Sequence, residues 1–584
     1  MSAGGVLAEG APSWANELAS SYVRGASSVY LLHGNIHDLV PANGSEFVSL
    51  EHYLATQVFG TRDVVLAYDR GSGIRFLAPG AARRRAAMQE DFEKTLSAAD
   101  RGSRPKDPKL VFELLDRYIL HKLVEEPKEN RRKSLAILIR YLETITPAVE
   151  GSWLSGELGA HLIQVLNWAN DPSIRSADVT LCLLTENLSE LHPRLAENPF
   201  ISKVEIPLPD ENLRERYSRQ SLRKTGSALA SIARESNGLT LVGLSQAVSS
   251  ATSNSGDTGD RGDVDLASLR RAKKELIEKQ CLGLVEFVAP RHGLDMVVAE
   301  RAVKERLEQD VELFRSGRFD ALPMGYLLCG VIGTGKTFTA TCFAGSLGIP
   351  AVVFKNLRSK WVGSSEGNLQ KVLSVVKALS PVAVVIDEAD AALGTRAASG
   401  DSGTASRMFA MISTVMSDTE YRGRVLWMLL TSRPDLLPVD LKRQGRCEVH
   451  IPLFPPSTEE SRREMFLALA RKAGVTIAAT DAPPIPPGFS GADIESLVVS
   501  SIRRAAIQKS KSPGPEIFRE ALAHFRAPEY GLEKELQELV AIREATDPAF
   551  IPDPLRHRYG SPEKAAALEH RIQEILALLG TASR

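Results

Sequence analysis

The stretch MGYLLCGVIGTGKTFTATCFAGSL, from Met324 to Leu347, decides the fold. It opens with an apolar run that closes on glycine, the signature of a short buried strand, and it ends in a segment that reads as a helix. Between them stands Gly330-Val331-Ile332-Gly333-Thr334-Gly335-Lys336-Thr337, a complete G-x-x-x-x-G-K-T in the strand–loop–helix setting the motif requires. The spacing has a chemical reason. Glycines let successive backbone N–H groups, on to Phe338, wrap a phosphate chain, and the helix N-terminus adds positive potential. The Lys336 ammonium then reaches the β- and γ-phosphates, and the Thr337 hydroxyl is a Mg²⁺ ligand. A glycine-rich turn that happens to carry a lysine is the bland alternative, and the residues downstream argue against it. The expected cofactors are ATP and Mg²⁺.

Pro381-Val-Ala-Val-Val-Ile-Asp387-Glu388 is a β-branched apolar strand with two carboxylates at its C-terminal end, where parallel α/β sheets place their ligands. Asp387 is expected to hold Mg²⁺ through water, and Glu388 to polarise the attacking water; a helix cap is the other use of such a pair. A third apolar strand, Val425–Leu430, runs into Thr431-Ser432-Arg433-Pro434-Asp435. A small polar residue there can touch the γ-phosphate, which makes Ser432 a candidate, but these five residues are equally good turn chemistry.

From about Leu322 to Ser510 the order of segments resembles the AAA+ ATPases, in their protein-remodelling branch. Ser359-Lys360-Trp361-Val362-Gly363 resembles the pore loop whose aromatic tip grips a polypeptide, and Gly400–Arg407 the second pore-facing loop. Thr431–Asp435 resembles the sensor-1 segment and Leu441–Arg446 the arginine-finger segment. Gly488-Phe489-Ser490-Gly491-Ala492-Asp493-Ile494 resembles the motif of the helical lid that closes over base and ribose. The resemblance implies ATP hydrolysis with catalytic roles for Glu388, Ser432 and Arg446, the arginine entering a neighbouring subunit's site. It also implies nucleotide contacts from Gly491 and Ala492, a grip on substrate by Lys360, Trp361 and Val362, and a homo-hexamer. An arginine supplied in trans makes turnover depend on assembly; a surface salt bridge, worth ~1 kcal/mol or less, is the other reading of Arg446. The chain departs from the family pattern where Ser432 replaces the usual Asn and Cys447 the usual aromatic, so slow or partner-dependent hydrolysis is expected sooner than loss of binding.

The first half of the chain repeats the second. Val29-Tyr30-Leu31-Leu32-His33-Gly34 matches the strand that ends at Gly330. Ala136–Ile139 matches Ala383–Ile386, Leu183–Thr185 matches Leu429–Thr431, and Val204–Leu208 matches Val449–Leu453, all at offsets of 245 to 247 residues. A near-constant offset points to tandem duplication. The chemistry is missing from the first copy: Val40 stands where the lysine should be, and Arg140-Tyr141 replace the acidic pair. About fifty extra residues sit near Thr61–Lys133, with basic clusters at Arg83-Arg84-Arg85 and Lys128–Lys133 that read first as solvated faces and second as a docking surface. His33 and His37 are not a metal pair, because that spacing needs a helix and Gly34-Asn35 is turn chemistry.

Composition bounds the rest. Lys+Arg 71 against Asp+Glu 72 leaves a net charge of -1, which argues against a generally basic nucleic-acid coat. The 5 cysteines form no C-x-x-C pair, so neither a disulfide framework nor a zinc ribbon is indicated. No signal-peptide pattern and no apolar run near the roughly 20 residues of a spanning helix is visible, and the expected location is cytoplasmic. In the tail, Leu568, Ile572, Ile575 and Leu579 share one helix face, expected to pack on the lid.

The expectation is therefore an α/β chain of tandem P-loop AAA+ modules, each a parallel sheet with flanking helices followed by a small helical lid. Residues 1–210 would be a degenerate large subdomain with an insertion near 61–133, 211–285 its lid and linker, 286–456 the active large subdomain, 457–525 its lid, and 526–584 a helical tail. The leading function is a hexameric, ATP-driven protein remodeller or unfoldase with one active site per chain and a polypeptide client or adaptor as partner. A nucleic-acid motor and a nucleotide-gated scaffold with slow hydrolysis are the alternatives.

Overall fold

The computed structural model of the chain describes residues 11–25, 27–42, 46–96, 105–124, 133–148, 156–220, 227–251, 265–355, 366–393, 404–510, 512–527 and 531–580. The chain divides into two compact units, Met1–Cys281 with Ser364–Ala378, and Leu282–Gly363 with Leu379–Arg584.

The first unit is built on strands β1 (Val29–Gly34), β2 (Leu39–Pro41), β3 (Phe47–Ser49), β4 (Val64–Asp69), β5 (Gly73–Phe76), β6 (Leu135–Ile139), β7 (Val179–Leu184) and β8 (Ile201–Ile206). Six of these form one sheet in the order β5-β4-β6-β7-β1-β8. All its neighbours are parallel except β5, which returns antiparallel on β4; β2 and β3 pair as a separate hairpin. The runs VVLAYD, LAILI and VTLCLL are buried along their whole length, as strands covered on both faces must be. Alternation sorts their side chains into two cores. Val29, Leu31, Leu135, Ile137 and Ile139 face one, and Tyr30, Leu32, Ala136 and Leu138 face the other. Much of the first core comes from the inserted segment: Met88 and Phe92 from helix Ala82–Glu93, and Val111, Phe112, Leu115 and Tyr118 from helix Pro108–Val124. Those helices cover the sheet, while Arg83, Arg84 and Arg85 stay exposed on the outer side. Four helices, Glu211–Gln220, Ser227–Glu235, Leu241–Ala251 and Leu266–Gln280, complete the unit.

The second unit carries β9 (Val285–Val288), β10 (Gly325–Gly330), β11 (Ala351–Phe354), β12 (Val382–Ile386), β13 (Val425–Thr431) and β14 (Val449–Leu453), in the order β14-β10-β13-β12-β11-β9. Its five parallel strands repeat the order of the first unit, β14-β10-β13-β12-β11 matching β8-β1-β7-β6-β4. The antiparallel edge strand differs in origin: β5 follows β4 as a hairpin, whereas β9 precedes the phosphate loop and pairs with β11. Tandem α/β modules are thus the architecture.

Helices Glu459–Lys472, Gly491–Ile507 and Pro515–Ala523 pack around Phe466, Ile494, Leu497 and Phe518 as a small separate core. The tail corrects one expectation. Leu568, Ile572 and Ile575 pack on Leu536, Leu539 and Val540 of helix Gly531–Glu544 in a cluster of their own, and that helix lies against β10 and β14. Its apolar face is thus satisfied by the tail and the sheet edge rather than by the lid. Among the described residues no helix is long and apolar enough to cross a membrane, and all five cysteines are buried and unbridged.

Candidate active site

β10 delivers the chain to Gly330 with φ +136°, where a Cβ would lie 2.0 Å from the Leu453 carbonyl oxygen of β14. Three residues on, Gly333 has φ +82°, and a Cβ there would meet Ser490 Oγ at 2.8 Å and Ala492 Cβ at 3.0 Å. These two glycines let the loop turn sharply off the strand and let the lid approach it. Lys336 opens helix Lys336–Leu347, and its Nζ donates to the Gly330 and Val331 carbonyls at 2.9 and 3.0 Å. Burial holds this ammonium below the ordinary lysine range.

β12 brings in the carboxylates. The Thr337 hydroxyl donates to Asp387 Oδ2 at 2.7 Å, so the two residues expected at the metal are in contact. A hydroxyl and a carboxylate side by side are the hard oxygen donors that Mg²⁺ takes, and the site fits the ion. Asp387 Oδ1 accepts from the Glu388 N–H at 2.8 Å. Glu388 itself is exposed at φ +48°, a left-handed conformation uncommon for a residue with a side chain. That turn sets the carboxylate just beyond the strand end.

β13 supplies the third element, with a difference from the sequence reading. Its end is fixed by Thr431, whose hydroxyl donates to Asp390 Oδ1 at 2.6 Å and accepts from the Arg433 N–H at 2.9 Å. Ser432, the candidate, follows it half-buried. The Thr431–Asp390 bond was not foreseen; its only trace in the sequence is a third carboxylate in Asp387-Glu388-Ala389-Asp390. The lid meets the loop through Gly491 and Ala492. Ser490 caps their helix reciprocally with Asp493, and the Ala492 N–H donates to the Gly333 carbonyl at 3.0 Å.

Arg446 is placed differently from a loose surface finger. It is buried, its Nε donating to Ser417 Oγ at 2.8 Å and a terminal nitrogen lying 2.8 Å from Asp440 Oδ2. Arg443, three residues earlier, shares Asp440 but stays about half exposed, and sequence reasoning passed it over. Lys360, Trp361 and Val362 lie outside the described residues, as do residues 400–403 of the Gly400–Arg407 segment.

The first unit keeps the same frame. Gly34 has φ +93°, and a Cβ there would sit 2.7 Å from the Ile206 carbonyl of β8. Tyr141 holds φ +54° where Glu388 holds +48°. Thr185 donates to Glu143 at 2.9 Å, the counterpart of Thr431 and Asp390. The loop itself differs. Buried Asp38 accepts from the Leu241 and Val242 N–H groups at 2.8 and 3.2 Å, capping helix Leu241–Ala251, and from Asn35 Nδ2 at 3.0 Å. His37 stacks on Tyr141 with ring centroids 5.4 Å apart and pairs with Glu186 at 3.2 Å.

Known families match a stretch in each unit. Residues 4–207 match the family described as AAA+ chaperone, N-terminal Rossmann-like domain, and residues 326–454 match the ATPase family associated with various cellular activities. The chain belongs to the AAA+ ATPases. Among curated AAA+ relatives, the cell division cycle protein 48 homolog of Archaeoglobus fulgidus is 27% identical over 428 residues, 68% of this chain and 57% of that protein. The peroxisomal ATPase pex6 of Schizosaccharomyces pombe is 31% identical over 41% of this chain and 26% of its own length. An uncharacterized AAA domain-containing protein, ycf46, of Trieres chinensis is 36% identical over 25% of this chain and 29% of its own. The chain thus spans little more than half of the first of these relatives and less than a third of the other two. The AAA match runs from β10 to β14, and the unit holding Lys336, Asp387 and Glu388 is the ATPase domain.

Proposed function

We propose that the chain is an ATP-driven remodeller of other proteins, acting as a cytoplasmic homo-hexamer with a single hydrolytic site per chain. The observation that carries this is the contact of Thr337 with Asp387 beside Lys336, against the first unit's loop, where Val40 stands in place of the lysine and Asp38 adds a buried carboxylate. Lys336 would exchange the two loop carbonyls for phosphate oxygens, and bound Mg²⁺ would neutralise charge on them. Glu388 would orient the attacking water from its turn at the end of β12. Asp38 would repel a phosphate from the first unit's loop, leaving that unit a structural and docking module.

Arg446 would leave Ser417 and Asp440 to reach a neighbouring copy, and the pore loop at Lys360, Trp361 and Val362 would grip the polypeptide. The match of residues 4–207 to the AAA+ chaperone family supports the remodelling class, and the near-neutral charge speaks against a nucleic-acid motor. The domain limits of 1–210, 211–285, 286–456, 457–525 and 526–584 are part of this reading. A nucleotide-gated scaffold with slow turnover is the second reading, favoured by Arg446 being tied down within its own unit.

Capture with a hydrolysis-blocked variant tests it. Tagged Glu388→Gln protein is drawn from its native lysate with ATP, beside Lys336→Ala as the control that binds no nucleotide. The expected result is a set of proteins held by Glu388→Gln alone and released when Trp361→Ala is added. Nuclease-sensitive retention would install the nucleic-acid motor, and proteins held regardless of Trp361 would install the scaffold.

A further inference from the structure

The tail helix Gly531–Glu544 lies outside the residues matched to the AAA family, yet it touches the entrance to the lid, the phosphate loop and the Leu441–Arg446 segment. At its start Lys534 Nζ donates to the Gly488 carbonyl at the entrance to the lid, at 3.0 Å. At its end Glu544 pairs with Lys442 of the Leu441–Arg446 segment at 2.7 Å, and the same Lys442 donates to the Pro434 carbonyl beyond β13 at 3.1 Å. Between these, Gln537 Oε1 accepts the backbone N–H of Ile332, inside the phosphate loop, at 3.0 Å. Gln537 is only 3% exposed, although a glutamine amide ordinarily seeks water.

We propose that Gln537 is a positioning residue of the nucleotide site, which holds the outer limb of the phosphate loop through the Ile332 N–H so that the N–H groups from Gly333 to Thr337 converge on phosphate. The reasoning is local. Buried Val331 and the Lys336 ammonium on the Gly330 and Val331 carbonyls hold the inner part of this limb, and the ammonium would leave it for phosphate, so the Gln537 bond to the Ile332 N–H is the tether that stays when nucleotide binds. The Ile332 side chain is 57% exposed and does not anchor the loop by burial. A neutral amide oxygen satisfies the N–H without placing negative charge beside the phosphates, as a carboxylate would. An unpaired buried N–H is costly, and a loop whose N–H groups no longer converge holds phosphate more weakly.

The test is a cycle read by binding. Gln537→Met keeps the volume and removes the acceptor; Ile332→Pro removes the donor. Affinity for a fluorescent ADP analogue is measured for the full-length chain, both single variants and the double variant. Gln537→Met is expected to weaken binding about tenfold, to raise the ATP KM in step, to leave kcat at saturating ATP within about twofold, and to add no further loss on top of Ile332→Pro. A packing role would cost the same in both backgrounds, and that result, or unchanged affinity in Gln537→Met, overturns the proposal. Hydrogen exchange at the Ile332 amide of the unmodified chain decides the matter independently of how the variants fold: slow exchange in the nucleotide-free protein is expected, and exchange at the rate of an open loop refutes it. Lys336→Ala runs alongside, since a parent that binds one nucleotide per chain and a Lys336→Ala variant that binds it with unchanged affinity would mean that the phosphate-loop assignment itself is wrong, a failure distinct from that of Gln537.

Discussion

Gly34 has no lysine or acidic pair left to serve, yet its backbone demands glycine. Its φ of +93° and the Ile206 carbonyl 2.7 Å from a would-be Cβ leave no room for a side chain, just as Leu453 leaves none at Gly330. The glycine that opens the loop therefore answers to the crossing of two parallel strands as much as to phosphate. Gly34→Ala is expected to destabilise the first unit by ~2 kcal/mol or more, seen as an earlier urea or thermal transition, with nucleotide affinity at Lys336 unchanged. An alanine variant as stable as the parent would show that the loop relaxes freely. The same scale explains which site residues could be read in advance. Lys336, Thr337, Asp387 and Glu388 could be nominated from the sequence because phosphate and Mg²⁺ chemistry demand fixed residue types at fixed spacing after apolar strands. Thr431 with Asp390, and Ile332 with Gln537, are pairs separated by 41 and 205 residues, and no local pattern announces such a hydrogen bond. Ser432 drew attention by its place after β13, but its neighbour makes the bond.

The strands were legible as elements, because runs such as VAVVI and LAILI leave no polar face and so must lie between two covering layers. The inserted helices were not, because their apolar residues become informative only once the sheet face they cover is known. The same holds for the tail, whose stripe at Leu568, Ile572 and Ile575 announced a packed face without naming its partner. The lid contacts show what changes at this level when chemistry is lost. In the second unit, the lid helix meets the phosphate loop through a backbone bond from Ala492 to Gly333. In the first, the equivalent contact is made by a carboxylate, Asp38, at the N-terminus of helix Leu241–Ala251. An anion there satisfies two end N–H groups and favours the helix dipole. Asp38→Ala is expected to cost ~1–2 kcal/mol, with faster hydrogen exchange confined to the first turn of that helix and no change in ATPase rate. Exchange that spreads through the whole first unit would instead make Asp38 a global keystone.

At the scale of the molecule, the proposal of one working site per chain, completed by a neighbour, is open to a complementation experiment. Arg446 is now bound to Ser417 and Asp440 of its own unit, and Arg443 leans on the same aspartate. If Arg446 acts in trans, Arg446→Ala lacks the group its neighbour needs but retains an intact phosphate loop, while Lys336→Ala lacks the loop lysine but retains the arginine. Each alone is expected to lose at least ~100-fold in turnover, since arginine fingers and loop lysines both stabilise charge in the transition state. Mixed in equal amounts and allowed to exchange, they should regain roughly a quarter of the unmodified rate, because random placement in a ring gives that share of sites an intact loop beside an intact arginine. A first unit that bound nucleotide would show separately, as two nucleotides per chain in the unmodified protein and one per chain in Lys336→Ala. No recovery on mixing would place Arg446 in its own unit's structure, where its present bonds to Ser417 and Asp440 already hold it, and would shift the reading toward the slow, nucleotide-gated scaffold.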